Sequence, residues 1–478
     1  MTYSSGFTRL ASLSALALGL ITACQSSPAV SFSEPVPVSD NPSLSNSVWV
    51  SDGYGIVIDT MVSPVRAYEA TATTCLEIDL DGAALSDFYD LVSLSSNGQT
   101  ARFKDISEIH QFQYQRTDTL PTPCASIDDA DDAVSVFEQM AAYFSAHYVF
   151  FDLYDVDWEA RIAAFRPQVS EDMSDAALFE TLSNMLAGIK DAHVELVGTV
   201  DGDRRGFDGD EGDLPRYIDL NASLNSVAEA DAPGAFYNGY LNSNISETLL
   251  SDSGFASANR YMRYGMIDEE VGYLAAFHVA SYATGEDRSP DAERAAINVE
   301  MEAAITLFQE QGAKAVIVDL SINFGGYDFV AREIAKHFAA APYKAYSKQA
   351  IDTPRLIPPS EYVIEPAETS FTGPVLLLTS NGTVSGGEIL TMSLRALPNV
   401  THFGEPTRGA LSDKLEKPLS NGWSVTLSNE RYLDADQQLW EGLGISPDVP
   451  LTVFESEDPL ASHLAAVKQL VERAHEGA

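Results

Sequence analysis

Residues 373–397 read GPVLLLTSNGTVSGGEILTMSLRAL, and three physical segments follow one another within them. Val375 to Leu378 is an apolar run of strand length, bounded by Gly373-Pro374 and Asn381-Gly382. Thr379 to Val384 is a tight polar turn. From Ser385 onward, Ile389, Leu390, Met392, Ser393 and Leu397 fall at helical spacing, which predicts a helix beginning at or just after Ser385. A serine between a buried strand and the first turn of a helix sits where unpaired backbone N–H groups and the positive helix end converge. Such a place stabilises a developing oxyanion. The same residues, Ser385-Gly386-Gly387-Glu388, also fit a capping box, Ser at the N-cap and Glu at N3, which is a purely structural device.

Working outward, the flanking sequence alternates strand and helix patterns. VGYLAAFHVAS (271–281) reads as a strand, Asp291 to Gln311 as a long helix, and KAVIVDL (314–320) as a buried strand of parallel type. The turn SINFGGYD (321–328) leads to a helix over 329–339, and after the quoted stretch another strand is expected at 400–404. This β-α-β-α-β order predicts a mostly parallel α/β core over 266–457. WSVTLSNERYLDADQQLWEGLGISPDVPL (423–451) reads as a hairpin-like excursion, and a C-terminal helix falls within 458–478. Asn323-Phe324-Gly325-Gly326 and the turn before Ser385 both lie at strand ends. In an open α/β sheet such turns gather at the ligand-binding crevice, and Gly-Gly lets backbone N–H groups approach a substrate closely.

Upstream, 126–200 has helical periodicity, with Ser174 capping the apolar stripe Leu178, Leu182, Met185, Leu186 and Ile189. His193 falls just past that helix. Residues 201–265 read as a loop or lid region: DGDRRGFDGDEGD at their start is too charged and Gly-rich to be core and is expected as an exposed loop, with the remainder a β-hairpin or lid. Residues 44–125 are rich in Val, Ile, Thr, Tyr and Phe in strand-length runs, a β-rich domain. About 455 residues beyond the leader fit roughly three domains.

The first residues resemble a secretory signal over 1–23, with Arg9 before an apolar segment from Leu10 to Ile21. Leu20-Ile21-Thr22-Ala23-Cys24 resembles a bacterial lipobox, making Cys24 the expected lipidation site; an ordinary signal with an incidental cysteine is the alternative. Gln25 after that cysteine suggests an outer-membrane lipoprotein facing the periplasm. Residues 24–43, rich in Ser and Pro, then form a lipidated tether. Cys75 and Cys124 are left as an even pair, either a disulfide or two buried thiols. A formal charge of −42 excludes nucleic acid and anionic membrane surfaces as partners, so the lipid is the only expected membrane attachment.

Several blocks in order resemble the tail-specific (C-terminal-processing) protease and tricorn-core family of serine peptidases. They are Asp191-Ala192-His193-Val194, Ile317-Val318-Asp319-Leu320 with Asn323-Phe324-Gly325-Gly326, and Thr383-Val384-Ser385-Gly386-Gly387-Glu388. Gly404-Glu405-Pro406-Thr407-Arg408-Gly409 and Glu441-Gly442-Leu443-Gly444-Ile445-Ser446-Pro447-Asp448 complete the set. The resemblance covers about 129–455 and implies a helical segment and a ClpP/crotonase-like α/β core, which with the N-terminal β-rich domain read above make an α+β multidomain protein. It implies Ser385 as nucleophile, with the N–H groups of Gly386 and of Gly325 or Gly326 as oxyanion hole. The tail-specific branch activates its serine with a lysine, but that place holds Ala410, leaving Lys414 as an alternative base only with a register change. The tricorn-like branch uses a histidine assisted by a glutamate, present as His193 and Glu441. Ala192 stands where tricorn has a second serine. Histidine suits the task, since serine needs a base poised near neutrality and a carboxylate behind the imidazole fixes its tautomer.

The expected function is a serine endopeptidase acting on exported proteins or peptides through an acyl-enzyme, with no metal and no cofactor. The alternatives are a non-catalytic binding module of the same fold for apolar ligands or peptides, or an esterase or amidase of small substrates. His147, His278, His337 and His402 read as structural, and Glu388 as a cap.

Overall fold

The computed structural model describes residues 31–477 apart from 79, 81–83, 106–110, 126–129, 252, 352–358 and 456. The expected signal segment 1–23 and Cys24 lie outside the described residues. The strand-forming runs fold into β1 (Val36–Pro37), β2 (Val48–Ser51), β3 (Ile56–Asp59), β4 (Arg66–Ala70), β5 (Cys75–Ile78), β6 (Tyr89–Leu94), β7 (Thr100–Asp105) and β8 (Gln111–Thr117). They pair in the order β1-β6-β7-β8-β2-β3-β4-β5. The reading of 24–43 as a free tether is corrected at its end, because Val36 and Pro37 pair with Val92 and Leu91. Cys75 and Cys124 are disulfide-bonded, pinning β5 to the turn beyond β8.

The helices α1 (Ala133–His147), α2 (Trp158–Phe165) and α3 (Asp175–Leu186) follow. Asp132, the end of an acidic run, caps α1 by accepting the N–H groups of Val134 and Ser135, and Ser174 caps α3. Their apolar faces bury Phe137, Phe144, Trp158 and Leu182 with Leu196, Trp423 and Val425 in one cluster.

Residues 201–265 are not a loop or lid. β9 (Glu195–Val200) and β10 (Asp203–Asp208) form a hairpin, and α4 (Leu214–Asn225), α5 (Ala232–Asn238) and a π-helical stretch, Gly239–Leu249, pack on the core. Their apolar residues are sparse, so isolated helices here are marginal. Tertiary burial of Leu214, Tyr217, Phe236, Tyr240 and Ile245 against the sheet holds them.

The core then runs β11 (Phe255–Ala256), β12 (Met262–Met266), β13 (Val271–Ala276), α6 (Pro290–Gln311), β14 (Ala315–Asp319), β15 (Ile322–Asn323) and α7 (Asp328–Ala335). After β16 (Tyr343–Ala350) and β17 (Ser360–Ile364) come β18 (Val375–Thr379), β19 (Gly382–Thr383), α8 (Gly386–Arg395) and β20 (Val400–Gly404). The chain closes with β21 (Lys414–Pro418), β22 (Ser424–Ser428), β23 (Glu430–Asp434), β24 (Val449–Pro450) and α9 (Pro459–Glu476). The central sheet has the order β11-β12-β13-β14-β18-β20-β24, parallel from β13 to β24.

Its strands are apolar throughout because both faces are covered. Val316, Val318, Val375 and Leu377 face α6, α7 and α8, whereas Ala315, Ile317, Leu376 and Leu378 face α4, α5 and α9. The excursion over 423–451 is not a hairpin: β22 pairs with β9 and β21, while β23 pairs with β16. The two strands share a connection and part into different sheets.

The β-rich domain is seated through its turn at 51–55. Tyr54 Oη donates to Glu430 Oε1 at 2.5 Å, and Asn429 Nδ2 donates to Gly53 O at 3.0 Å. Buried Lys417 bonds both Glu69 and the Tyr54 carbonyl. On the far side, α9 is latched to the central strand by His463 Nε2, 2.8 Å from Asp319 Oδ2, with both side chains fully buried. Tyr273 Oη and Ser321 N–H also donate to Asp319. Burial alone would raise this carboxyl's pKa, but His463 and the two donors outweigh it and hold it below the ordinary carboxylate value. A depressed folded pKa adds stability above about pH 4 that is lost as pH falls through the folded value. His463→Ala is therefore expected to destabilise the fold by about 3 kcal/mol and to flatten this acid dependence, read by urea denaturation across pH 3–7.

Candidate active site

Ser385 stands between β19 and α8 with φ 57° and ψ −124°. A helix N-cap normally has extended backbone, and a side-chain-bearing residue at positive φ is strained by about 1–3 kcal/mol. The capping reading is therefore half right. Glu388 Oε2 accepts the Ser385 N–H at 3.1 Å, yet among the described residues no hydrogen bond engages Ser385 Oγ. The hydroxyl is left at the head of α8, half-exposed in a cleft.

The surroundings over-determine this strained turn. Glu388 is fully buried and also accepts from Thr407 Oγ1 at 2.6 Å, Gly409 N–H at 2.7 Å and Ala410 N–H at 2.8 Å. Burial raises its carboxyl pKa, and these donors oppose the rise. β19 pairs in parallel with β15, and Val384 N–H donates to Asn323 O. The serine turn and the Asn323-Phe324-Gly325-Gly326 turn thus lie side by side.

Asn323, fully buried, sets the second turn: Nδ2 donates to Ala276 O and Oδ1 accepts the Gly325 N–H, both at 2.8 Å. That bond removes Gly325 from the expected set of free donors. Among the described residues, the N–H groups of Gly326 and Gly386 have no acceptor, and a Cβ on Gly386 would lie 2.8 Å from Gly326 N. Two free, adjacent N–H groups remain beside Ser385.

His193 lines the same cleft, about 380 Å³ in volume, as do Ser385 and Lys414. It is 2% exposed, and its loop is folded by an Asx turn in which Asp191 Oδ1 accepts the His193 N–H at 2.8 Å. Asp191 Oδ2 accepts from Tyr148 Oη, and the His193 carbonyl accepts from Thr426 Oγ1. Its Nδ1 is buried with no partner among the described residues. Burial lowers the imidazole pKa and Lys414 lowers it further, while Asp191, Asp413 and Glu195 pull it up.

Glu441 is 1% exposed; Oε2 accepts the N–H groups of Leu411 at 3.0 Å and Ser412 at 2.9 Å, and Oε1 is buried without a partner. Burial, Asp191 and Glu388 raise its carboxyl pKa well above the ordinary value, against those two donors. Among the described residues no hydrogen bond joins it to His193. Lys414 is ion-paired to Glu195 across the cleft mouth. Ala410, at the place of the lysine, is buried with its N–H on Glu388.

Ser385, His193 and Lys414 line one cleft, and Gly326 and Gly386 lie beside the serine; the residues that support them were not read as supports in the sequence. The Asp-x-His spacing carried the Asx-turn signal for Asp191. Nothing local marked Glu388 as a four-donor hub.

Comparisons with known proteins bear on the same two regions, the helical segment and the α/β core. Residues 277–451 match peptidase family S41, and 130–187 match the tricorn protease C1 domain. Over these two stretches the chain is similar to tail-specific and tricorn-type serine peptidases. The carboxy-terminal processing protease CtpA of Bacillus subtilis (strain 168) is 29% identical over 157 residues, a stretch spanning 31% of each protein. In fold, the chain is similar to a candidate peptidase of Parabacteroides merdae ATCC 43184, at TM-score 0.56 and 22% identity over 72% of this chain and 97% of that one. It is also similar to mature CPAF in complex with lactacystin, at TM-score 0.51 and 12% identity over 73% and 99%.

Two outcomes are expected from this geometry. Ser385→Gly should relieve the positive-φ strain and raise thermal and urea stability by about 1 kcal/mol while removing the hydroxyl. Asn323→Ala strands two buried backbone groups, and should lower unfolding free energy by about 2–4 kcal/mol in the same measurement.

Proposed function

We propose that this protein is an exported serine endopeptidase that cleaves proteins or peptides through an acyl-enzyme on Ser385. The observation that carries the reading is the strained, accessible Ser385 at the head of α8, in one cleft with buried His193 and beside two free N–H groups. His193 takes the proton as Ser385 Oγ attacks the scissile carbonyl. The oxyanion forms against Gly386 and Gly326. Collapse expels the amine, which receives that proton, and water releases the acyl group by the reverse sequence. Burial keeps His193 neutral, the form a general base requires.

Glu441 is the group assigned to orient His193, through a bridging group, since no hydrogen bond joins the two among the described residues and both Glu441 Oε1 and His193 Nδ1 are buried without partners. Lys414 is held in an ion pair with Glu195, which favours a modulating role over that of base. The resemblance of 1–23 to a signal, the lipobox-like Cys24 and the Cys75–Cys124 disulfide support an envelope protein, lipid-anchored at the outer membrane and facing the periplasm. Among the described residues no helix is long and apolar enough to cross a membrane.

A fluorophosphonate serine probe tests the reading. Ser385→Ala and His193→Ala should lose labelling, Glu441→Gln should slow it about a hundredfold or more, and Lys414→Ala should retain it. A folded wild type that takes no label would overturn the hydrolase and favour the binding module. Loss of labelling in Lys414→Ala would transfer the role of base to that lysine.

The pH dependence adds a second check. A depressed imidazole pKa keeps the base neutral into mild acid, so the acid limb of the labelling rate is expected below about pH 6.5. Lys414→Ala removes a nearby cation and should move that limb up. Glu195→Gln removes a nearby anion and should move it down.

A further inference from the structure

We infer that the segment Asp208–Asp213 is a specificity wall selecting a cationic side chain of the substrate beside the reacting carbonyl. The inference rests on the serine-hydrolase reading of this cleft and supplies its substrate class.

The cleft has two unlike sides. Leu214, Tyr237 and Phe324 make one apolar. On the other, Glu195, Asp208, Asp210 and Glu211 face the space with only Lys414 and Arg408 as cations. Lys414 is taken up by Glu195. Arg408 bonds carbonyls instead of carboxylates, its Nε donating to Asn381 O at 3.2 Å and Nη1 to Asp210 O at 3.4 Å. Among the described residues, Asp208, Asp210 and Glu211 have no cationic partner. Four carboxylates against two cations leave the cleft anionic around a neutral His193.

The wall is built into the site. Gly209 N–H donates to Val194 O at 2.9 Å, and a Cβ there would lie 2.4 Å from Asp191 O, so only glycine lets the segment lie on the His193 loop. At its other end the Asp213 N–H donates to Asn381 Oδ1 at 2.9 Å, on the turn that leads to Ser385. The acidic segment therefore bridges the histidine and serine loops, and its carboxylates stand next to any chain threaded between them. His193, 2% exposed, lines the same space, and its Nε2 has no hydrogen-bond partner among the described residues, so a substrate in the cleft completes it. The chain's formal charge of −42 adds long-range attraction for a basic peptide, which salt weakens.

Two arms test the wall. In the first, full-length Ser385→Ala protein is titrated with matched fluorescent peptides differing only in Lys or Glu beside a leucine, at low and high salt. In the second, wild type and the Asp208→Lys/Glu211→Lys variant digest a complex peptide mixture, and cleaved bonds are read by mass spectrometry. Both residues are exposed, so reversing their charge leaves the packing intact. The Lys peptide should bind about tenfold tighter, the margin shrinking with salt and inverting when the charge reversal is added to Ser385→Ala. Wild-type cleavage sites should be enriched in Lys and Arg, and the variant's in Asp and Glu. Equal binding of the two peptides, or a preference untouched by charge reversal, overturns the wall. A wild type that neither labels nor cleaves sinks the hydrolase reading instead, and the binding arm still decides the wall.

Discussion

One buried carboxylate carries the architecture around Ser385. Glu388 takes four donors: the Ser385 N–H, the Thr407 hydroxyl and the N–H groups of Gly409 and Ala410. The first fixes the entry to α8 in a conformation serine would not choose. The others fasten the chain after β20 against that helix. Local strain survives only where its surroundings over-determine it, and Glu388 is the group that does so. The carboxylate is costly to bury, and the cost is offset only because every donor arrives together.

Around that point the fold works by converging loops. The parallel strands bring the serine and glycine turns to one edge, where β15 and β19 zip them together. The helical segment delivers His193 from the side, its loop shaped by Asp191 and steadied by Tyr148 from the end of α1. β22 bridges the two regions: it pairs with β9, Thr426 holds the His193 carbonyl, and Trp423 packs with Phe179 of α3. The N-terminal sheet joins the same frame. Tyr54 reaches Glu430, whose N–H donates to Ser412 Oγ, and Ser412 N–H in turn holds Glu441.

Much of this was legible in the chain. Val375–Leu378 and Ala315–Asp319 read as buried strands because apolar runs without alternation need cover on both faces, and that cover exists. The motifs around Ser385 and His193 singled those residues out, and the even count of Cys75 and Cys124 pointed to a disulfide, with two buried thiols as the alternative. The cover itself was not. Leu214, Tyr217 and Phe236 are scattered in a charged, Gly-rich stretch whose helices exist only against the sheet. The parting of β22 from β23 was equally hidden, since adjacent strands with a short link look like a hairpin until partners elsewhere compete for them.

By itself, the sequence determined which residues could do chemistry and which segments had to be buried. Side-chain type and hydrophobic period are local properties. Tertiary structure alone decided which donors remain free and which charges stay unpaired. Gly325 and Gly326 are equivalent as letters, yet Asn323 occupies the N–H of one and leaves the other open. Asp208, Asp210 and Glu211 read as a solvated run, yet Gly209 and Asp213 stitch them between two loops distant in sequence. Hydrogen-bond satisfaction and burial depend on neighbours brought together by folding, and no stretch of sequence carries that information alone.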